Sequence, residues 1–173
     1  MLADDYNNYE AWVLLAKVAA SEGDDRAALE ALEHARDLPS DAPRPRESLL
    51  YLRLGQLYMG AEQFASAKDS FLRACMLNAT AQSWLGVGAV CYRLGDNDDA
   101  ECALSEANIY DSEDATVWAY LSLVCLRQQR RHEAEQSFRF AVQKGLRDTS
   151  LQHELARAQE HAGFGNTLQG AAA

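Results

Sequence analysis

The chain has 173 residues, 48% of them hydrophobic and 24% charged, enough apolar mass to bury a core and too much for a disordered segment. Its 26 Asp and Glu outnumber 16 Lys and Arg, and the formal charge of −10 repels phosphate backbones and anionic lipid, which excludes nucleic acid and membrane as partners. Alanine is the commonest residue, there are 3 prolines, and long β-branched alternation is missing, so the composition predicts an all-α fold.

From the N-terminus, apolar residues recur at helical spacing from Tyr9 onward. The most apolar run, Ala11 to Ala20, contains Lys17 and is shorter than the roughly 18 residues a membrane helix needs. Asp4, Asp5 and Glu10 stand where a signal peptide carries basic charge, so an intracellular protein is expected. Gly23-Asp24-Asp25 reads as a glycine stop followed by an acidic helix start, which predicts a hairpin of two helices over 9–42. The run from Ser40 to Arg46, with Pro43 and Pro45, reads as a surface loop. Further hairpins are predicted over 48–80, over 81–114 with a turn at Gly95-Asp96-Asn97, and over 115–148. Thr149-Ser150-Leu151-Gln152 fits a capping box that opens one more helix. That helix has no partner, so it is placed as a cap over 149–162, followed by a frayed tail over 163–173 of a single domain, 1–173.

The hairpins share one register. Position 4 holds Trp12, Tyr51, Trp84 and Trp118, and position 7 holds Leu15, Leu54, Val87 and Leu121. Position 8 is small: Ala16, Gly55, Gly88 and Ser122. Position 20 is Ala28, Ala67, Ala100 and Ala134, and position 27 is Ala35, Ala74, Ala107 and Ala141. Position 24 is large: Leu32, Phe71, Leu104 and Phe138. Tiny residues let two antiparallel helices approach, and large ones fill the remaining space. The pattern resembles the tetratricopeptide repeat (TPR), which implies a TPR α-solenoid of four helix-turn-helix repeats and a C-terminal capping helix. The three tryptophans are expected in the core.

Nothing in the sequence assembles a catalytic centre, a cofactor loop or a metal site. His132-Glu133 and His153-Glu154 start the zinc-protease HExxH word, but Gln136 and Arg157 occupy its fifth position. Phosphate-binding glycine loops and nucleophile elbows are missing. Cys75, Cys91, Cys102 and Cys125 have no zinc spacing and lie in apolar helical patterns, so buried free thiols are expected.

In a TPR array the first helix of each repeat, helix A, lines a concave groove. The groove positions here hold Leu49, Leu52, Met59, Leu85, Tyr92, Leu123 and Leu126, an apolar stripe expected to lie exposed as a contact site, the alternative being a superhelix wound tightly enough to bury part of it. Arg53, Arg93 and Arg127 add a basic strip beside it, which suits a partner segment with apolar anchors and acidic residues. The dicarboxylate clamp of chaperone-tail-binding TPR proteins is not reproduced. Its positions read Val13, Lys17, Arg53, Gln82 and Gly86 from the first repeat, and Leu52, Gln56, Gly86, Thr116 and Tyr120 from the second. A soluble adaptor or co-chaperone binding a peptide segment is the alternative reading.

Several stretches are more specific than the repeat pattern: Ser83-Trp84-Leu85-Gly86-Val87-Gly88, Cys91-Tyr92-Arg93-Leu94-Gly95, the run from Ala100 to Asn108, Val117-Trp118-Ala119-Tyr120-Leu121, and Gly163-Phe164-Gly165-Asn166. Over residues 81–166 they resemble the C-terminal TPR region of an axonemal cilia- and flagella-associated protein family, also called tetratricopeptide repeat protein eighteen. The resemblance implies a fragment of a longer protein with immunoglobulin-like domains upstream. It also implies a structural component of the axoneme, at the central apparatus or near the outer dynein arms, needed for cilium motility. The implied partners are other axonemal structural proteins, bound through the groove or the end surfaces. Tubulin tails are acidic like this chain, which argues against direct tail binding.

Overall fold

The structure, a computed structural model, describes residues 8–38 and 44–163. Among the described residues there are nine α-helices and no strand: α1 (Tyr9–Glu22), α2 (Asp25–Asp37), α3 (Arg44–Gly60), α4 (Phe64–Leu77), α5 (Ala81–Leu94), α6 (Asn97–Tyr110), α7 (Ala115–Arg127), α8 (Arg131–Gln143) and α9 (Thr149–His161). This is the expected all-α TPR fold, four hairpins and a final single helix. The helices form two compact units that divide inside α5, after Gly86.

One turn geometry closes all four hairpins. At Gly23, Glu62, Gly95 and Gln129 the backbone is left-handed, with φ of 79°, 57°, 88° and 59°. In each turn that residue's N–H and the next one reach back to the carbonyls of the finished helix; for the first, Gly23 N–H donates to Ala20 O at 3.2 Å and Asp24 N–H to Ala19 O at 3.0 Å. Glycine adopts this conformation without steric cost, yet only two of the four turns use it. The other two hold Glu62 and Gln129, which explains why sequence inspection marks a glycine stop in the first and third hairpins alone.

In the first unit, α1 packs on α2, α3 on α4, and α2 on α3. Ala28, Ala35, Ala67 and Ala74 are 1% exposed or less, so the alanine columns lie at the seams. Position 8 seats position 24: a Cβ on Gly55 would come within 2.7 Å of the Phe71 ring. Gly86 faces the same ring from α5, with its Cβ position 2.5 Å away. Ser48 Oγ donates to Ala74 O at 3.1 Å, satisfying a buried hydroxyl between α3 and α4.

In the second unit, α7 packs on α6, α8 and α9. Ala100, Ala107, Ala134 and Ala141 are again essentially closed to solvent. A Cβ on Gly88 would come within 2.6 Å of Leu104, and Ser122 Oγ donates to Ala134 O at 2.8 Å. The small residue thus makes room for the large one in one hairpin and bonds the facing backbone in the other.

Four local expectations are corrected. Helix α3 begins at Arg44, so Pro45 and Arg46 belong to its first turn, where proline's missing N–H costs nothing; Ser40 to Pro43 lie outside the described residues. The cap of α9 is Asp148, whose carboxylate accepts from Leu151 N–H at 3.1 Å. Gln152 is then one residue too far along for a capping box and instead donates to Leu146 O at 2.6 Å. Trp12, Trp84 and Trp118 are half-buried rather than core, because position 4 sits at the hairpin rim. Trp12 stacks on His34 with ring centroids 4.6 Å apart, and Trp118 Nε1–H donates to Ser112 O at 3.0 Å. Lastly, Cys102 is exposed and Cys75 is half-buried, whereas Cys91 and Cys125 are buried. The predicted tail lies outside the described residues beyond Gly163.

Candidate functional site

The A helices of the four hairpins are α1, α3, α5 and α7, and their groove-lining positions behave differently in the two units. In the first unit, Leu49 is 58% exposed on α3, and Arg53, one turn further on, is exposed with its Nη1 3.2 Å from Gln56 Oε1. Met59 and Leu85 are half-buried, and Leu52 is buried. An aliphatic anchor and a guanidinium therefore stand together in solvent on one helix.

The second unit closes over its share of the stripe. Tyr92, Leu123 and Leu126 are 3%, 0% and 7% exposed, so the expectation of an open apolar strip is corrected for all three, as it is for Leu52. The physical reason is α9. Its Leu151 and Leu155 are buried, it packs on α7, and Ala158 packs against the cluster of Cys125, Leu126 and Ala134. The Leu151–Leu155–Ala158 spacing puts these three on one face of α9, a signal in the sequence that could have marked this contact.

The arginines of this unit are tied down as well. Arg93 makes a two-pronged bond to Glu154 of α9, with both N–O distances 2.8 Å. Arg127 lies over the Tyr92 ring, 3.6 Å from its centroid, and donates to the Tyr92 carbonyl oxygen. Tyr92 also meets Tyr120 edge-on at 5.9 Å. Burial, with the Glu154 carboxylate adding to it, pushes the Tyr92 phenol up to about 12. Tyr120 is raised as well, again chiefly by burial. For Arg93, burial works against the charge, but the hydrogen bond to Glu154 and the charge of that carboxylate together offset it and hold the guanidinium above its ordinary value. The pair of Arg93 and Glu154, which links α5 to the cap, was not foreseen from the sequence.

Among the described residues, no three His, Cys, Asp or Glu side chains gather closely enough to hold a metal ion. His132 and His153 are both exposed. No helix among the described residues is long and apolar enough to cross a membrane.

With this geometry in place, comparison with known proteins gives a consistent picture. The family model for the cilia and flagella-associated protein 70 C-terminal domain matches residues 3–172. The chain belongs to this family. It is 37% identical over 162 residues to cilia- and flagella-associated protein 70 of Homo sapiens, covering 94% of this chain and 14% of that protein. To the Macaca fascicularis protein of the same name it is 43% identical over 117 residues, covering 68% of this chain and 12% of the relative. The chain thus spans about one-seventh of the length of these curated relatives. The resemblance read over residues 81–166 holds, and the family match takes in the first two hairpins too. Among solved structures, the chain is similar to MamA, with a TM-score of 0.73 and 24% identity, covering 83% of this chain and 81% of that one. It is also similar to YrrB, a TPR protein with an unusual peptide-binding site, with a TM-score of 0.69 and 17% identity over 91% of this chain and 79% of that one. At these identities the likeness shows the TPR fold.

Proposed function

We propose that residues 1–173 act as one non-catalytic TPR docking domain of a structural axonemal protein. The parent protein would sit in the central apparatus or outer dynein arm region and support cilium motility. The family supports the ciliary setting. The TPR fold supports protein binding, and YrrB, similar in fold, is a TPR protein with an unusual peptide-binding site. One observation carries the placement of the docking surface: Leu49, 58% exposed, beside exposed Arg53 on α3. A large aliphatic side chain next to a cation in solvent is the pairing that a partner segment with apolar anchors and acidic residues would engage.

The test is crosslinking mass spectrometry on isolated axonemes carrying the full-length protein. Crosslinks from the α3 region to another axonemal structural protein are expected. The double change Leu49→Glu with Arg53→Glu should remove them while the circular dichroism of the isolated chain stays unchanged. Retention of the same crosslinks in the double variant would overturn the assignment of this face.

A further inference from the structure

On α1, Leu14 and Leu15 are more than half exposed and Val18 nearly half. With exposed Ala11 they recur at i, i+3, i+4 and i+7, one continuous aliphatic stripe along the helix. Positions 3, 7 and 10 of the shared register supply Ala11, Leu15 and Val18. On α3 the same positions hold Leu50 and Leu54, both buried, and half-buried Leu57. On α7 they hold Val117 and Val124, both buried, and half-buried Leu121. Each of these two helices carries the helix that comes before it in the chain, α2 on α3 and α6 on α7. The covering helices share a pattern, small-large-x-x-small: Ala31-Leu32 with Ala35, and Ala103-Leu104 with Ala107, all buried. At the other end of the fold, α9 turns His153, Arg157, Glu160 and His161 to solvent, the polar outer face with which a repeat array ends. The outer face of α1 is aliphatic instead.

We propose that the stripe of Ala11, Leu14, Leu15 and Val18 is a docking seam for a further helix of the same polypeptide. That helix lies N-terminal to this domain in the full-length protein and carries the small-large-x-x-small pattern on the side that meets α1. Length to supply it is at hand: the matching family model describes a C-terminal domain, and this chain covers about one-seventh of its human relative. Burying three aliphatic side chains gives such a helix its driving force, and tiny residues on it let the two backbones approach as they do at the other seams. In this arrangement α1 is an interior helix of a longer array, and α9 closes the only end this domain holds. The inference concerns α1 and is independent of the α3 surface with Leu49 and Arg53.

The experiment is photocrosslinking of the purified full-length protein with p-benzoylphenylalanine in place of Leu14, the product mapped by mass spectrometry. An intramolecular crosslink to a segment N-terminal to this domain, one that holds the small-large-x-x-small pattern, is expected. A covalent dimer on a denaturing gel would assign the stripe to a second copy, and a crosslink confined to residues 1–173 would assign it to this domain itself. Either result overturns the proposal, as does the lack of any crosslink. A second measurement needs no crosslinker. In the full-length protein, Leu15→Glu with Val18→Glu should speed amide hydrogen exchange across α1 by about tenfold or more and leave α7 and α9 unchanged. Glutamates on a face already in water would change nothing, so unaltered exchange of α1 also overturns the proposal. The double variant Leu49→Glu with Arg53→Glu should keep the crosslink, which separates failure of this seam from failure of the α3 surface.

Discussion

The first hairpin and the fourth follow the same packing rule and differ in how much of it reaches solvent. In α7, residues Val117, Ala119 and Ser122 through Leu126 are all buried. In α1, Leu14, Leu15 and Val18 are 62%, 51% and 46% exposed, and only Ala16 and Ala19 are buried. Both helices are apolar. The difference lies in their neighbours: α7 is packed by α6, α8 and α9, whereas α1 packs on α2 and reaches α3 through the exposed pair of Glu10 with Arg46. Position 7 shows this directly, since Leu54 is closed to solvent on α3 and Leu15 is half open on α1. A repeat sequence therefore sets which residues can be buried, and the adjoining helices decide which are.

The sharpest way to break this comparison is truncation at position 7. Leu54→Ala should destabilise the chain by about 2–5 kcal/mol through lost burial and a residual cavity. Leu15→Ala should cost less than about 1 kcal/mol, because half its surface is already in water. Urea denaturation of the two variants decides the matter, and equal losses would mean that α1 is covered as α3 is.

A second effect, expected to be smaller, probes the alanine columns rather than the large residues. Ala107→Leu places three extra carbons at the seam of α6 and α7, where the native side chain is 0% exposed. Overpacking should cost about 1–3 kcal/mol, read as a lower thermal midpoint. An unchanged midpoint would show that the column tolerates volume and that the repeat register is misassigned.

The smallest effect sharpens the comparison among the turns. Glu62→Gly and Gln129→Gly remove a side chain from a left-handed residue that costs about 1–2 kcal/mol in that conformation, less the extra chain entropy glycine loses on folding. A net gain of about 0.5 kcal/mol for each is expected. Calorimetry showing a loss would mean that the side chains of Glu62 and Gln129 contribute more than their strain.

The fold was legible because its signals are local and repeated. Ala28, Ala67, Ala100 and Ala134 recur at one position, and each is buried at a seam. The candidate surface was only half legible. Leu49 and Arg53 stand exposed where helix phase put them, but Tyr92, Leu123 and Leu126 do not. Helix phase says which side chains share a face, not whether a later segment lies across it. The pairing of Arg93 with Glu154 joins residues 61 apart in sequence, and its acidic partner lies in the unpaired last helix, outside the four-hairpin register. The turns at Glu62 and Gln129 escaped notice for a simpler reason: left-handed backbone is usually marked by glycine, and here it is not.

The two glycines of α5 carry a consequence for how order spreads along the chain. Gly86 gives way to Phe71, and Gly88 gives way to Leu104, so α5 accepts a bulky intruder at each of two positions. Each glycine forfeits helical preference, together about 2 kcal/mol relative to alanine. In isolation the segment 81–94 would be mostly coil. Its helicity is conditional on the ring and the isobutyl group that lodge in its two notches. Shaving either intruder would release amide protons over several turns at once, so a point lesson in packing becomes a regional loss of protection against solvent exchange.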